Sequence, residues 1–145
     1  MHPYPHVYKA SATAGMEDVV ELGSAGLQAL ASMPPIEFGG PGDRWSPESL
    51  LVAAVSDCLI LTFRAIARGA GMPWLKLECE TEGVLNRVDG VTRFTHFNIR
   101  AKLTAPAGTD EHKAMRMLEK SEAVCLISNS LNGEKHLHAS VEIVP

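Results

Sequence analysis

Hydrophobic and polar positions change period three times along this chain of 145 residues, and each change marks a predicted element. In the first forty residues the pattern is short and broken. Val7 to Thr13 alternates loosely, Asp18 to Leu22 holds the β-favouring pair Val19-Val20, and Leu27 to Ser32 follows Gly23 and Gly26, so three short strands are expected. Pro34-Pro35 and Gly39-Gly40-Pro41-Gly42 then enforce a loop through Trp45. Ser46 offers an N-cap oxygen, Pro47 suits the first helical position, and Glu48 suits the positive end of the helix dipole. A helix is predicted from Pro47 to near Gly69 or Gly71, with Arg64 and Arg68 in its last turns. From Leu50 to Phe63 its apolar residues cover almost the whole circumference, the pattern of a helix buried on most sides.

From Leu75 the period becomes two. Leu75, Leu77, Cys79 and Leu85 are expected on one face, with Lys76, Glu78, Glu80 and Glu82 on the other. Asp89-Gly90 signals a hairpin, after which Phe97, Ile99, Ala101 and Leu103 alternate with Asn98, Arg100 and Lys102. Pro106 and Gly108 end that strand, and Thr109 or Asp110 caps a second helix carrying Ala114, Met117, Leu118, Ser121 and Cys125 on its inward side. Asn129 and Asn132-Gly133 break it, and His136 to Val144 alternates as a closing strand. These elements predict a single α+β domain over residues 1–145, its two helices packed across the sheets.

Composition narrows the function. With 13 basic against 17 acidic residues and a net charge of -4, no basic run could neutralise a stretch of phosphates, so no nucleic-acid partner is expected. The opening residues lack the cationic start and apolar stretch of a signal peptide. No window reads as long enough to cross a bilayer, so a cytoplasmic location and no membrane partner are expected. Three cysteines, at 58, 79 and 125, fit neither a secreted disulfide framework nor paired CxxC zinc units.

Cys79, beside Leu77 on the apolar face of a strand, reads as a small core hydrophobe. Cys58 differs, because Ser56-Asp57-Cys58 puts polar groups into an otherwise apolar helix, which is costly without partners or a function. Cys125 comes with Ser121, Glu122, Ser128 and Asn129. The pattern alone leaves open whether the two thiols form a redox pair or merely pack the core. His136 and His138 share a strand face at a spacing compatible with metal, but no third ligand is evident and solvent exposure is the expectation; no metal or cofactor is assigned. Ser128 and Ser130 lack an evident histidine and acid, which argues against a serine hydrolase. Phe38, Trp45, Leu50 and Leu51 are candidates for an apolar pocket wall as well as for ordinary core.

Two stretches carry a family resemblance. Trp45-Ser46-Pro47-Glu48-Ser49-Leu50-Leu51-Val52-Ala53-Ala54-Val55-Ser56-Asp57-Cys58-Leu59 resembles the first cysteine motif of the OsmC/Ohr family, and Ala123-Val124-Cys125-Leu126-Ile127-Ser128-Asn129-Ser130-Leu131 resembles the second. The resemblance implies an OsmC-like fold with two central helices packed against antiparallel sheets in an intertwined homodimer. It also implies that Cys58 attacks a hydroperoxide and Cys125 resolves the sulfenic acid as a disulfide, with a small dithiol or a dihydrolipoyl protein as reductant. The alternative is a redox-sensing or small-ligand-binding protein that keeps the thiols without turnover, and a third is a dimer whose cysteines only pack. The family's N-terminal arginine, held by the glutamate that matches Glu48, has no counterpart, since no arginine precedes Arg44. Arg44, in the loop just before the helix, is the substitute candidate, and its place beside Trp45 equally suits a simple loop anchor. Glu48 lies ten residues before Cys58, roughly 15 Å along a helix, so it is not expected to touch Cys58 of its own helix; it orients an arginine, reaches the partner's site across a dimer interface, or is a solvated glutamate that stabilises the helix N-terminus.

Overall fold

The computed structural model describes residues 1–145 in order: β1 Ser11–Thr13, β2 Val20–Gly23, β3 Leu30–Ser32, α1 Pro47–Ala70, β4 Lys76–Val88, β5 Val91–Pro106, α2 Glu111–Ala123, α3 Leu126–Asn129 and β6 Glu134–Val144. Two compact units divide the chain, Met1–Leu51 and Val52–Pro145.

In the first unit β1, β2 and β3 form an antiparallel meander. All three strands are shorter than the sequence pattern predicts, as befits segments rich in Ala, Ser and Gly. The Pro and Gly segment is not wholly irregular, because Ile36–Phe38 forms one 3-10 turn closed by Gly39 at φ 83°. The start of α1 follows the expected capping. The Ser49 N–H donates to Ser46 Oγ at 3.1 Å and the Ser46 N–H donates to Ser49 Oγ at 2.9 Å, a reciprocal cap with serine at the third helical position.

In the second unit β4 and β5 form the long hairpin, turning on Asp89 and Gly90, both at positive φ as a two-residue turn requires. Strand β6 pairs with β5 in parallel, so this sheet is mixed and the expectation of purely antiparallel sheets is corrected. The 27 residues between the two strands hold α2 and α3, and such a crossover is what parallel pairing needs. A bulge between Val84 and Leu85 breaks the alternation, which is why Leu85 is 37% exposed instead of facing inward with Leu77.

One face of this sheet carries Leu77, Phe97, Ile99, Ala101 and Leu103 into a core shared with Val55, Leu59, Phe63 and Ala67 of α1 and Ala114, Met117 and Leu118 of α2. The edge of Phe63 meets Trp74, with ring centres 5.5 Å apart. Helix α1 ends as predicted: Gly71 adopts φ 63°, its N–H donates to the Arg68 carbonyl, and Met72 N–H donates to Ala67.

Two expectations for α1 need correcting. Its fully buried residues form the single stripe Val55, Leu59, Phe63 and Ala67, and Leu61 is 50% exposed, so the chain's own residues leave much of its apolar circumference uncovered. At 24 residues, or about 36 Å, α1 is also long and apolar enough to cross a bilayer by length and composition. The buried stripe gives that apolarity a packing role.

Candidate functional site

The second unit assembles a polar, sulfur-bearing cluster where α1 faces the corner between α2 and α3. Helix α1 presents Ser56 and Cys58. Cys58 is partly exposed, and its sulfur lies 3.8 Å from Thr62 Oγ1 one turn on. Cys125 is fully buried and its side chain lies against that of Cys58, although the two stand 67 positions apart in sequence. Both thiols are free.

The local fold explains how Cys125 is held. It is not on α2 as the helical spacing suggested, because α2 ends at Ala123 and Cys125 is the N-cap residue of the single turn α3. Backbone N–H groups of Ile127 and Ser128, unpaired at the start of that turn, point at its sulfur. Burial nevertheless dominates and pushes the Cys125 thiol up to about 11, with the neighbouring Cys58 side chain acting in the same direction and the Ser128 and Ile127 N–H groups acting against it. At neutral pH Cys125 is therefore a thiol.

Glu122 is a member that sequence reasoning noted without giving a role. The Ser128 hydroxyl donates to Glu122 Oε1 at 3.0 Å, while Glu122 Oε2 is buried without a partner. Desolvation raises its carboxyl above the usual carboxylate value, against the lowering effects of Ser128 and of Lys135. Cys79 lies beside Ser56 and Thr81, whose hydroxyls are 2.7 Å apart, and burial raises its thiol as well. It packs against the core, as the strand pattern predicts.

Glu48 and Arg44 belong to the first unit. Glu48 stands in the first turn of α1, and its Oε2 is buried with no hydrogen-bond partner. It lines a cavity of about 420 Å³ with Ala12, Val20, Leu22, Phe38 and Leu50 among its neighbours. Arg44 is exposed and lines a different depression with Asp43 and Trp45. The two do not form an ion pair: the chain's salt bridges are Lys76–Glu78, Lys102–Glu142 and His136–Glu134. Of the apolar residues expected to wall a pocket, Phe38 and Leu50 share the cavity of Glu48 and Trp45 sits by Arg44. His136 and His138 are exposed on β6, and no three His, Cys, Asp or Glu side chains gather so as to hold a metal ion.

The sequence matches a family described as OsmC-like protein over residues 40–139. It is 30% identical over 144 residues to the uncharacterized protein YmaD of Bacillus subtilis, covering 95% of each chain. Among solved structures, an OsmC-like protein of unknown function from Vibrio cholerae superposes with a TM-score of 0.85 at 18% identity, covering 94% of this chain and 100% of that one. An organic hydroperoxide resistance protein from Elizabethkingia anophelis gives 0.78 at 20% identity, with 99% and 100% covered. A Legionella pneumophila structure, described as an organic hydroperoxide resistance protein OsmC, gives 0.75 at 24%, with 97% and 99% covered.

Proposed function

The chain belongs to the OsmC-like protein family, and from that membership we propose that it is a thiol-dependent peroxidase that reduces organic hydroperoxides through Cys58 and Cys125. The observation that carries this reading is the meeting of the two side chains, partly exposed Cys58 against buried Cys125, from elements far apart in sequence.

The steps balance as follows. The Cys58 sulfur, as thiolate, attacks one peroxide oxygen; the O–O bond breaks, the departing alkoxide takes a proton to become an alcohol, and Cys58 becomes a sulfenic acid. The Cys125 sulfur then attacks the Cys58 sulfur, the S–O bond breaks, and the Cys125 proton leaves with the hydroxyl as water. A small dithiol or dihydrolipoyl protein returns the disulfide to two thiols, becoming oxidised itself. Access fits these roles, since the exposed sulfur meets the substrate and the buried one meets only its partner. Glu48 and Arg44 enter the proposal as the carboxylate and the cation next to the start of α1. A homodimer is part of the reading because the uncovered apolar surface of α1 suits a second copy. The match over residues 40–139 runs across both units, which supports one domain. A cytoplasmic, reducing location suits a working dithiol.

The elevated Cys125 thiol favours a second reading, a sensor or binder whose disulfide forms once and slowly. One experiment separates them. Reduced protein is mixed with one equivalent of an organic hydroperoxide, disulfides are mapped over time, and the run is repeated with dihydrolipoamide. A fast Cys58–Cys125 disulfide with repeated turnover supports the peroxidase; a single stoichiometric oxidation supports the sensor; thiols that persist for minutes, even when the peroxide is raised to excess, exclude the peroxidase and point to a binding or structural role.

A further inference from the structure

Behind Cys125 lies a link that the redox steps above do not use. Cys125 opens the single turn α3, and the backbone N–H groups of Ile127 and Ser128 point at its sulfur. A helical turn of four residues has little stability of its own and must be held from outside. Two side-chain bonds tie it to the end of α2: the Ser128 hydroxyl donates to Glu122 Oε1 at 3.0 Å, and the Asn129 amide donates to the Ala123 carbonyl at 3.1 Å. Only the first involves a residue whose own N–H serves the sulfur, and that residue, Ser128, is buried.

Glu122 meets the turn through one oxygen, because Oε2 is buried without a partner. The groups facing it are Ser128 from α3, Lys135 from β6 and Cys79 from β4. Lys135 forms no ion pair with it; its ammonium donates to the Leu131 carbonyl. A half-satisfied buried carboxyl costs stability, so what Glu122 contributes here is an acceptor for Ser128.

We propose that Glu122 is a positioning residue for the resolving step: its hydrogen bond to Ser128 keeps α3 closed, so that the Ile127 and Ser128 N–H groups stay on the Cys125 sulfur as it attacks oxidised Cys58. This role rests on the peroxidase reading. In that step Cys125 gives up its proton, its sulfur bonds to the Cys58 sulfur, the S–O bond breaks, and the departing hydroxide takes a proton to become water. N–H donors on the attacking sulfur favour the thiolate that does this.

The test compares the full-length wild type with Glu122→Ala, Glu122→Gln and Ser128→Ala. Isotope-labelled Cys125 is titrated under reducing conditions by its β-carbon NMR shift. Dimedone trapping and disulfide mapping then time Cys58 oxidation and its resolution separately, in a single turnover with an organic hydroperoxide. Glu122→Ala should raise the Cys125 midpoint enough to cut its thiolate fraction about tenfold, slow resolution to match and let the sulfenic acid accumulate. Glu122→Gln, whose carbonyl still accepts from Ser128, should restore most of both. Ser128→Ala breaks the same link from its other end and should behave as Glu122→Ala, which keeps the test open should that variant not fold. The sign is decisive, since loss of a nearby negative charge would by itself lower the thiol. A midpoint that falls or stays in Glu122→Ala and Ser128→Ala, or a Glu122→Gln as impaired as Glu122→Ala, would overturn the role. A wild type that forms no sulfenic acid overturns the peroxidase reading and this role with it, whereas normal turnover with an unmoved Cys125 midpoint overturns the role of Glu122 alone.

Discussion

Ser128 ties Glu122 to the thiol corner, its hydroxyl donating to Glu122 Oε1 at 3.0 Å while its backbone N–H points at the Cys125 sulfur. The carboxyl at one end of this link is raised by desolvation, and the thiol at the other is raised by the same cause.

Glu122 should make stability fall as pH climbs out of the acid range. A carboxyl whose folded value exceeds its unfolded one contributes stability at low pH, and that contribution disappears as pH rises through the folded value. Glu122→Gln keeps an acceptor for Ser128 and removes the buried charge. Thermal melts between pH 4 and pH 7 should show the variant above wild type at pH 7 and the gap closing toward pH 4. A variant that melts lower at pH 7 would contradict this account.

Cys125 gives the alkaline counterpart. Its thiol is raised from 9.0 to about 11, so folding favours the neutral form and stability declines as pH rises between those values. Cys125→Ser should flatten that decline in urea titrations. In the folded protein at pH 7 iodoacetamide should label Cys58 before Cys125, read by peptide mass; labelling in the reverse order would refute the assigned exposures.

Phe63→Ala tests the core between α1 and the sheet. The ring is fully buried and packs edge-on against Trp74, so its removal should cost about 3–5 kcal/mol by urea denaturation. A loss below about 1 kcal/mol would mean the helix does not rest on the sheet as described.

Gly40→Ala tests the loop before α1. A methyl group there would sit 1.6 Å from the Pro34 carbonyl oxygen, a backbone atom that cannot turn aside. The chain from Pro34 to Gly40 would have to open, and proteolysis within it should become at least about tenfold faster, in line with a loss of roughly 1.4 kcal/mol or more of local stability. Unchanged protection would place the loop elsewhere.

Much of this architecture is legible in local chemistry. Ser46-Pro47 announces the start of α1, Asp89-Gly90 the hairpin, and Asp110 the cap of α2, which its carboxylate supplies to the Lys113 N–H. Period-two alternation marks the inward faces of β4 and β5. The parallel pairing of β6 is not legible, since alternation gives a strand's faces but not its neighbour's direction. The bulge at Leu85 shifts register with no glycine or proline at the shift. Cys125 looked helical because Leu118, Ser121 and Cys125 keep helical spacing across the break at Val124. The Cys58–Cys125 contact was open on the residue pattern and depended on the family resemblance, because spacing carries no information about meetings between distant elements. The unpaired Glu48 oxygen was equally invisible, since a missing partner has no local signature.

The contact between Cys58 and Cys125 also links the oxidation state to the unfolded chain. A bond there would close a loop of 67 residues and remove, on the chain-entropy estimate, about 4 kcal/mol of freedom from the denatured ensemble. Oxidation would then be recorded as resistance to unfolding, and the same two atoms would set both the redox state and the lifetime of the fold.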